Sequence, residues 1–207
     1  MKVLLSTAYW PNLHFFYYLI NAETVQIEHY ENYQKQSFRN RTQILTANGI
    51  LDLSIPVIKK APKELSKDIQ ISYAENWQQK HWRAIVSAYS NSPYFEYFET
   101  EISKFYLKKY DLLPDYELQQ IQCILKILKL KKEISSSDSY QKSIIDFIDL
   151  REIIHPKISF QNDPEVANKL QISYYQTFAD KFNFLPNLSI LDLIFNTGLE
   201  SLRYLKK

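Results

Sequence analysis

The segment SFRNRTQILTANGILDLSIPV, residues 37–57, predicts the strand pair around which the N-terminal part of the chain is built. Asn48-Gly49 is a strong two-residue turn signal, because a type I′ turn needs a positive φ at both central positions. A turn there predicts an antiparallel hairpin in which Ile44 pairs with Leu53. The alternating apolar residues on one face of this hairpin would then lie against the core.

Further strand patterns flank this hairpin, and helical patterns follow it. KVLLSTA (2–8), TVQIEHY (24–30) and DIQISY (68–73) favour strands, whereas residues 12–22 favour a helix capped by Asn12. Beyond residue 75 apolar residues recur mostly with helical spacing, although the polar segment 133–143 predicts a loop.

The order of these patterns predicts an α+β fold. A small N-terminal sheet with the Asn-Gly hairpin would pack against a mostly helical C-terminal two-thirds of the chain. The length of 207 residues fits a single domain spanning 1–207.

Composition argues against several classes of function. The 25 Lys and Arg nearly balance the 23 Asp and Glu, so the chain has no global reason to bind nucleic acid. The two glycines cannot build a phosphate-binding loop, and the four histidines lack metal-ligand spacing. Cys123 is the single cysteine and cannot form an intramolecular disulfide. We therefore expect no cofactor and no bound metal.

Hydropathy predicts the compartment. No apolar stretch approaches the ~20 residues of a membrane span, and the N-terminus lacks a signal-peptide core. We expect a cytoplasmic protein without a transmembrane segment.

Three polar residues in the hairpin segment are candidates for binding. Arg39 and Arg41 are two residues apart, so they would lie side by side on the outer face and could clamp a carboxylate or phosphate. A solvated outer face is the simpler interpretation. Asn40 would lie on the apolar face, either within a buried hydrogen-bond network or lining a pocket.

The segment LPNLSILDLIFNTGL, residues 185–199, carries one carboxylate among apolar residues. Ser189, Asp192 and Asn196 lie at i, i+3 and i+7, which forms one polar line on a helix. A buried charge is costly unless it is paired or hydrogen-bonded, so the line predicts a pocket wall, with a structural anchor as the alternative. Asn187 would cap this helix and Gly198 would end it.

His81 shares a helical stripe with Trp77, Ile85 and Ala88. A lone histidine on such a stripe is more often a hydrogen-bonded core residue than a catalyst. Histidine is nevertheless the side chain best suited to proton transfer near neutral pH, so His81 is also a candidate base.

Together these segments resemble the WbqC-like family. The resemblance is carried, in matching order, by AYWPNLHFFYYLINA (8–22), SFRNRTQI (37–44), SIPV (54–57), NWQQKHWRAIVSAYSNSPYFEYF (76–98) and YYQTFADKFNFLPNLSILDLIFNTG (174–198). Ser6-Thr7 stands where the family pattern often has Gln-Pro, and the chain resembles the shorter form of the family.

The resemblance implies a bacterial protein encoded with surface-polysaccharide (O-antigen-type) genes, which moves glycine or another aminoacyl group onto an amino sugar. The polar positions that match are Asn40, Arg41, His81, Tyr89, Asp192 and Asn196. On this hypothesis the substrate is a small amino sugar or activated sugar, linked to a nucleotide or a lipid. His81 is the base that deprotonates the sugar amine, Asp192 either orients His81 or holds the amine, and Arg41, together with Arg39, holds a carboxylate or phosphate.

Two other interpretations remain open. The chain could be a non-catalytic module that binds a sugar intermediate or a biosynthetic partner, in which case it should present an aromatic-lined groove. It could also be a degenerate nucleotidyltransferase, since a strand, a Pro-containing loop and a helix open the chain with His14 near the loop. If the chain is instead the transferase described above, His81 and Asp192 should converge on one pocket.

Overall fold

The computed structural model describes residues 1–58, 61–140, 142 and 144–207. The strands are β1 (Lys2–Ser6), β2 (Thr24–Glu28), β3 (Arg41–Thr46), β4 (Gly49–Ser54), β5 (Val57–Ile58), β6 (Gln70–Ile71), β7 (Ile134–Ser136) and β8 (Phe147–Asp149). The helices are α1 (Leu13–Asn21), α2 (Trp77–Tyr89), α3 (Phe95–Leu107), α4 (Leu113–Ile127), α5 (Ala179–Phe182), α6 (Ile190–Thr197) and α7 (Ser201–Leu205).

A parallel sheet in the order β7-β2-β1-β8 organises the fold. Lys2 of β1 lies beside Thr24 on one side and Phe147 on the other. Parallel strands need a crossover connection, and α1 supplies it between β1 and β2. β2 and β8 pair with β1 on its opposite sides, so the order of strands reverses at β1. Ligands of open parallel sheets bind outside the carboxyl ends of the strands at such a point.

Two strands of this sheet come from segments that the sequence did not assign to strands. β7 lies inside the polar segment predicted to be a loop, of which Gln141 and Ser143 are outside the described residues. β8 follows soon after it and pairs with β1 over three residues. The predicted α+β class, with a small sheet and a mostly helical C-terminal part, is confirmed.

The predicted hairpin is present, but its predicted register is wrong. Ile44 pairs with Leu51, and Thr46 pairs with Gly49, so Ala47 and Asn48 form the turn. Gly49 has a positive φ of +102°, but it is the first residue of β4 and follows the two turn residues. Because the register differs by two residues, the residues within β3 and β4 keep their predicted faces, whereas Arg39, which precedes β3, does not lie on the outer face.

One apolar core spans both halves of the chain and includes residues from Val3 to Leu205. Seven consecutive side chains of α1, residues 13–19, are buried, as expected of a helix covered on all sides. Asn12 caps α1 as predicted, since its side chain accepts a hydrogen bond from Phe15 N. Within the described residues, no helix has the length and apolar character needed to cross a membrane.

Candidate functional site

Asp192 is sealed inside the protein and satisfied by neutral donors. Its side chain accepts hydrogen bonds from the hydroxyls of Tyr89 (3.0 Å) and Tyr174 (2.6 Å) and from Gln176 Nε2 (2.8 Å). Burial nevertheless raises the pKa of Asp192 from 3.8 to about 6, against the opposing effect of these donors. The carboxyl group therefore joins α2 and α6 to the segment that carries Tyr174.

The prediction that the polar line of α6 faces a water-accessible pocket is wrong. Ser189, Asp192 and Asn196 are 0%, 1% and 4% exposed. The Ser189 hydroxyl donates to Trp10 O and caps α6, a role predicted for Asn187. Asn196 Nδ2 donates to the backbone oxygen of Asp192. Gly198 ends the helix as predicted, with a φ of +58°.

His81 lies in a different hydrogen-bond network. Its Nδ1 is 2.9 Å from the hydroxyl of Tyr9, which is also bonded to the hydroxyl of Tyr106. Burial lowers the pKa of His81 from 6.5 to about 4, so the ring is neutral in the fold. His81 precedes Tyr89 by eight residues on α2, about 12 Å along the helix axis. The predicted convergence of His81 and Asp192 on one pocket is not observed.

Arg39 and Arg41, predicted to lie side by side, are also separated in the structure. Arg39 precedes β3, is 3% exposed, and donates to both carboxylate oxygens of Glu31 at 2.8 and 2.7 Å. Arg41 is partly exposed and lies 3.4 Å from Asp52. The two guanidiniums therefore do not lie side by side, because burial with a carboxylate fixes Arg39. Asn40 Nδ2 donates to Ile55 O, which ties the open end of the hairpin together.

A cavity of about 150 Å³ lies beside the N-terminus of α1 and brings two histidines together. His14 and His155 both line it, together with Asn12, Asn187 and other residues. His14 Nε2 is 2.9 Å from Asp163 Oδ2, and Asp163 is further held by the hydroxyl of Tyr18 and the amide of Glu165. Of the residues that the sequence suggests for a site, His14 lines this cavity, and the sequence suggests it only for the nucleotidyltransferase alternative.

Asp163 fixes the tautomer of His14. A carboxylate can only accept hydrogen bonds, so Nε2 of His14 carries the proton and Nδ1 keeps its lone pair. No hydrogen bond within the described part of the chain engages that Nδ1. Burial lowers the pKa of His14 below 6.5, although Asp163 opposes this. The neutral imidazole can thus accept a proton at pH 7.

Hydrogen-bond donors line the same cavity. The side chain of Asn12 caps α1 through Oδ1, while its Nδ2 is buried without a hydrogen-bond partner. His155 Nδ1 accepts a hydrogen bond from Lys157 N, so the neutral ring carries its proton on Nε2. The residues that line the cavity thus include an oriented imidazole and His155, whose Nε2 carries a proton, while Asn12 Nδ2 is buried behind the lining.

Buried ion pairs support the neighbouring carboxyl edge of the sheet. Glu28, at the end of β2, is fully buried and lies 3.4 Å from Arg151, which also binds Asp149 at the end of β8. Arg39 Nη2 donates to Ser6 at the end of β1. Buried ion pairs favour one defined arrangement of the groups that they join.

Glu117 on α4 is a further buried charge-bearing group that the sequence analysis did not single out. It is 0% exposed, and among the described residues neither carboxylate oxygen has a partner within hydrogen-bond distance. Burial raises its pKa well above 4.5, while the nearby Thr7 hydroxyl opposes the rise. Burial therefore favours the protonated form of Glu117, which lies near Thr7 in the loop after β1. Within the described residues, no group of three His, Cys, Asp or Glu is arranged to hold a metal ion.

The fold and cavities define an α+β protein with a polar pocket at the carboxyl edge of a parallel sheet. The chain belongs to the WbqC-like protein family, whose model matches residues 7–155. It is also 24% identical over 193 residues to an uncharacterized protein of Mycobacterium tuberculosis, Rv1507c, with 84% of each chain covered. No solved structure matches the chain.

Proposed function

We propose that this chain is a cytoplasmic transferase of bacterial surface-polysaccharide biosynthesis that moves glycine or another aminoacyl group onto an amino sugar. Membership of the WbqC-like family supports the polysaccharide context. The observation that carries the catalytic assignment is the Asp163-oriented His14 on a polar cavity at the sheet's carboxyl edge. A general base must be oriented toward the proton that it takes and must be unprotonated at the operating pH, and His14, oriented by Asp163, meets both conditions.

The proposed reaction needs an aminoacyl ester or thioester as donor. The amine nitrogen of the sugar attacks the donor's carbonyl carbon, and an amide C–N bond forms. His14 Nδ1 takes the proton that the amine loses, and returns it to the oxygen or sulfur that leaves when the old carbonyl bond breaks. The Nε2 group of His155 would donate to the carbonyl oxygen as negative charge develops there.

A transfer assay with a glycyl thioester and glucosamine tests this proposal, with mass spectrometry of the amide product. His14→Gln should reduce turnover by about 100-fold or more, the usual contribution of general-base catalysis. His29→Gln is the matched control, because His29 lies outside the cavity. Loss of activity in a folded His81→Gln variant, with His14→Gln fully active, would return the catalytic role to His81.

The variant Asp163→Asn tests whether His14 acts through its carboxylate partner. Asp163 raises the pKa of His14, so its removal should shift the acidic limb of the pH–rate profile to lower pH. The maximal rate should also fall, because the amide no longer selects the tautomer with a free Nδ1. An unchanged profile would contradict the assignment.

A non-catalytic sugar-binding module is the second candidate, favoured by a tyrosine-lined groove at the same sheet edge. It predicts sugar binding without any turnover. A degenerate nucleotidyltransferase is less well supported, because the first amides of α1 are engaged. Leu13 N donates to Leu188 O and His14 N to Asn187 Oδ1, so neither is free for a phosphate.

A further inference from the structure

Four lysines lie together where α4 ends and the chain turns toward β7. Lys126, Lys129, Lys131 and Lys132 line a groove of about 740 Å³, whose lining includes one carboxylate, that of Glu133. The first three of these lysines are exposed. In the described part of the chain, the ion pairs that lysines form with carboxylates occur at other positions. The groove therefore offers free ammonium groups to an anionic partner.

Lys132 differs from the other three because the fold itself uses its ammonium group. Its Nζ donates to Ala22 O and, at 3.5 Å, to Ile20 O. These carbonyl groups belong to the C-terminal end of α1, where a positive charge is favoured. Lys132 thus anchors the segment that follows α4 to the end of α1.

An apolar groove adjoins this lysine cluster, and Lys129 lines both grooves. The second groove has a volume of about 460 Å³. Its apolar lining consists of Tyr94, Tyr97, Phe98, Ile127 and Leu199. Tyr97 is 75% exposed and Leu199 is 46% exposed. Apolar side chains grouped on the surface beside a charged rim are typical of an interaction site.

The two grooves together carry an excess of positive charge. Among the residues that line them, four lysines are opposed by Glu133 and Glu200, an excess of two. On α3, Glu101 is paired with Lys104 at 3.0 Å, and the other two glutamates of that helix line neither groove. An anionic surface is the electrostatic complement of this face.

Both grooves lie at the far ends of α1 and α6 from the His14 cavity. α1 begins beside the cavity and ends near Ala22, which accepts a bond from Lys132. α6 begins at its cap Ser189, beside the turn before α1, and ends just before Leu199 of the apolar groove. The nine residues of α1 span about 13 Å. A partner that covers the two grooves therefore leaves the cavity open.

We infer that this face docks on the surface of a membrane that contains anionic phospholipids. The exposed lysines lie over the phosphate groups, while Tyr97 and Leu199 reach the apolar boundary beneath them, a level at which tyrosine is common. A soluble polyanion would also satisfy the lysines, but it would leave Tyr97 and Leu199 in water. The contact is peripheral, and it does not depend on the proposed reaction.

Co-sedimentation of the full chain with lipid vesicles tests the inference. The chain should bind vesicles that mix phosphatidylcholine with phosphatidylglycerol, but not vesicles of phosphatidylcholine alone, and added salt should weaken the binding. Lys126→Gln and Lys131→Gln should each weaken binding by about fivefold, the usual contribution of one lysine near an anionic surface. Lys35→Gln is the matched control, since Lys35 is exposed and lines neither groove.

Fluorescence quenching tests the apolar part of the contact. Brominated acyl chains of phosphatidylglycerol quench an indole that reaches them. The additional fluorescence of Tyr97→Trp should be quenched by such vesicles, whereas that of Tyr175→Trp should not. Tyr175 is a suitable control because it is 59% exposed and lines neither groove.

Equal binding to both kinds of vesicle, or unchanged binding in both lysine variants, overturns the inference. Binding that needs the lysines but leaves Tyr97→Trp unquenched also overturns it, and assigns the face to a soluble polyanion, for which inorganic polyphosphate is the probe. Transfer between soluble substrates should be unchanged in Lys126→Gln, because the His14 cavity lies at the other end of α1. The docking and the proposed reaction can therefore fail separately.

Discussion

The free energy of unfolding of Asp192→Asn, measured relative to that of wild type, should rise as the pH rises from 4 to 7. In the fold, burial raises the pKa of Asp192 to about 6, against an ordinary value of 3.8. Between these two values the native state binds more protons than the unfolded state. The stability contributed by this residue is therefore present at low pH and is lost as the pH rises.

The size of the effect follows from the difference of about 2 in pKa. Each pKa unit corresponds to 1.36 kcal/mol, so ionisation of Asp192 should cost the native state ~3 kcal/mol above pH 7. Asparagine keeps the size of the side chain but does not titrate. The substitution also alters the hydrogen bonds with Tyr89, Tyr174 and Gln176, and this contribution to the free energy of unfolding does not vary with pH. Only the change of the difference with pH reports on the carboxyl group.

Urea unfolding of both proteins at half-unit steps between pH 4 and pH 7.5 measures this quantity. The free energy of unfolding of Asp192→Asn minus that of wild type should rise by ~2.5 kcal/mol between pH 4 and pH 7.5, because part of the total change falls below pH 4. All other titrating groups are shared and largely cancel in the difference. A difference that stays flat, or falls with pH, would show that the three donors hold Asp192 ionised and would refute the reasoning.

Three further substitutions and one matched control test the contacts of other predicted residues by urea unfolding. The buried ring of His81 has a pKa of about 4, so wild type should lose ~3 kcal/mol of its free energy of unfolding as the pH falls from 6.5 to 4. His81→Gln should remove this loss, and a pH dependence identical to wild type would contradict the expectation. Arg39→Met should destabilise the fold by ~3–5 kcal/mol, since it leaves Glu31 buried without its cation. Arg41→Met, the matched control, should cost less than ~1 kcal/mol, and equal losses would show that Arg39 has no special role. Asn40→Leu should cost ~1–3 kcal/mol through the lost bond to Ile55 O, and a neutral result would argue against that bond.

Local signals in the sequence predicted most of the local structure. The cap at Asn12 and the end of α6 at Gly198 follow from side-chain and backbone preferences that act within a few residues. The hairpin register does not follow from such local preferences, because apolar alternation has a period of two and tolerates a shift by two residues. β7 and β8 were missed because their three-residue segments become strands only by pairing with β2 and β1.

The candidate site was harder to predict, because its partners are distant in sequence. The polar line of Asp192 was visible, but its donor Tyr89 lies 103 residues away. His14 and Asp163 are separated by 149 residues, and no spacing rule joins them. A signal was nevertheless present, since His14 follows a Pro-containing loop at the end of a buried strand, where ligand sites of parallel sheets occur.

Two of the segments that carry the family resemblance, 8–22 and 174–198, meet at the turn before α1, which gives Asp192 an indirect role. The start of α6 holds the turn before α1 through three bonds: Ile190 N to Pro11 O, Ser189 Oγ to Trp10 O, and Leu13 N to Leu188 O. Trp10 has a positive φ of 36°, a conformation that a non-glycine residue keeps only when its surroundings fix it. Asp192 fixes α6 to α2, and α6 fixes this turn. The buried carboxylate thus helps to position the histidine that faces the cavity, although it does not contact it.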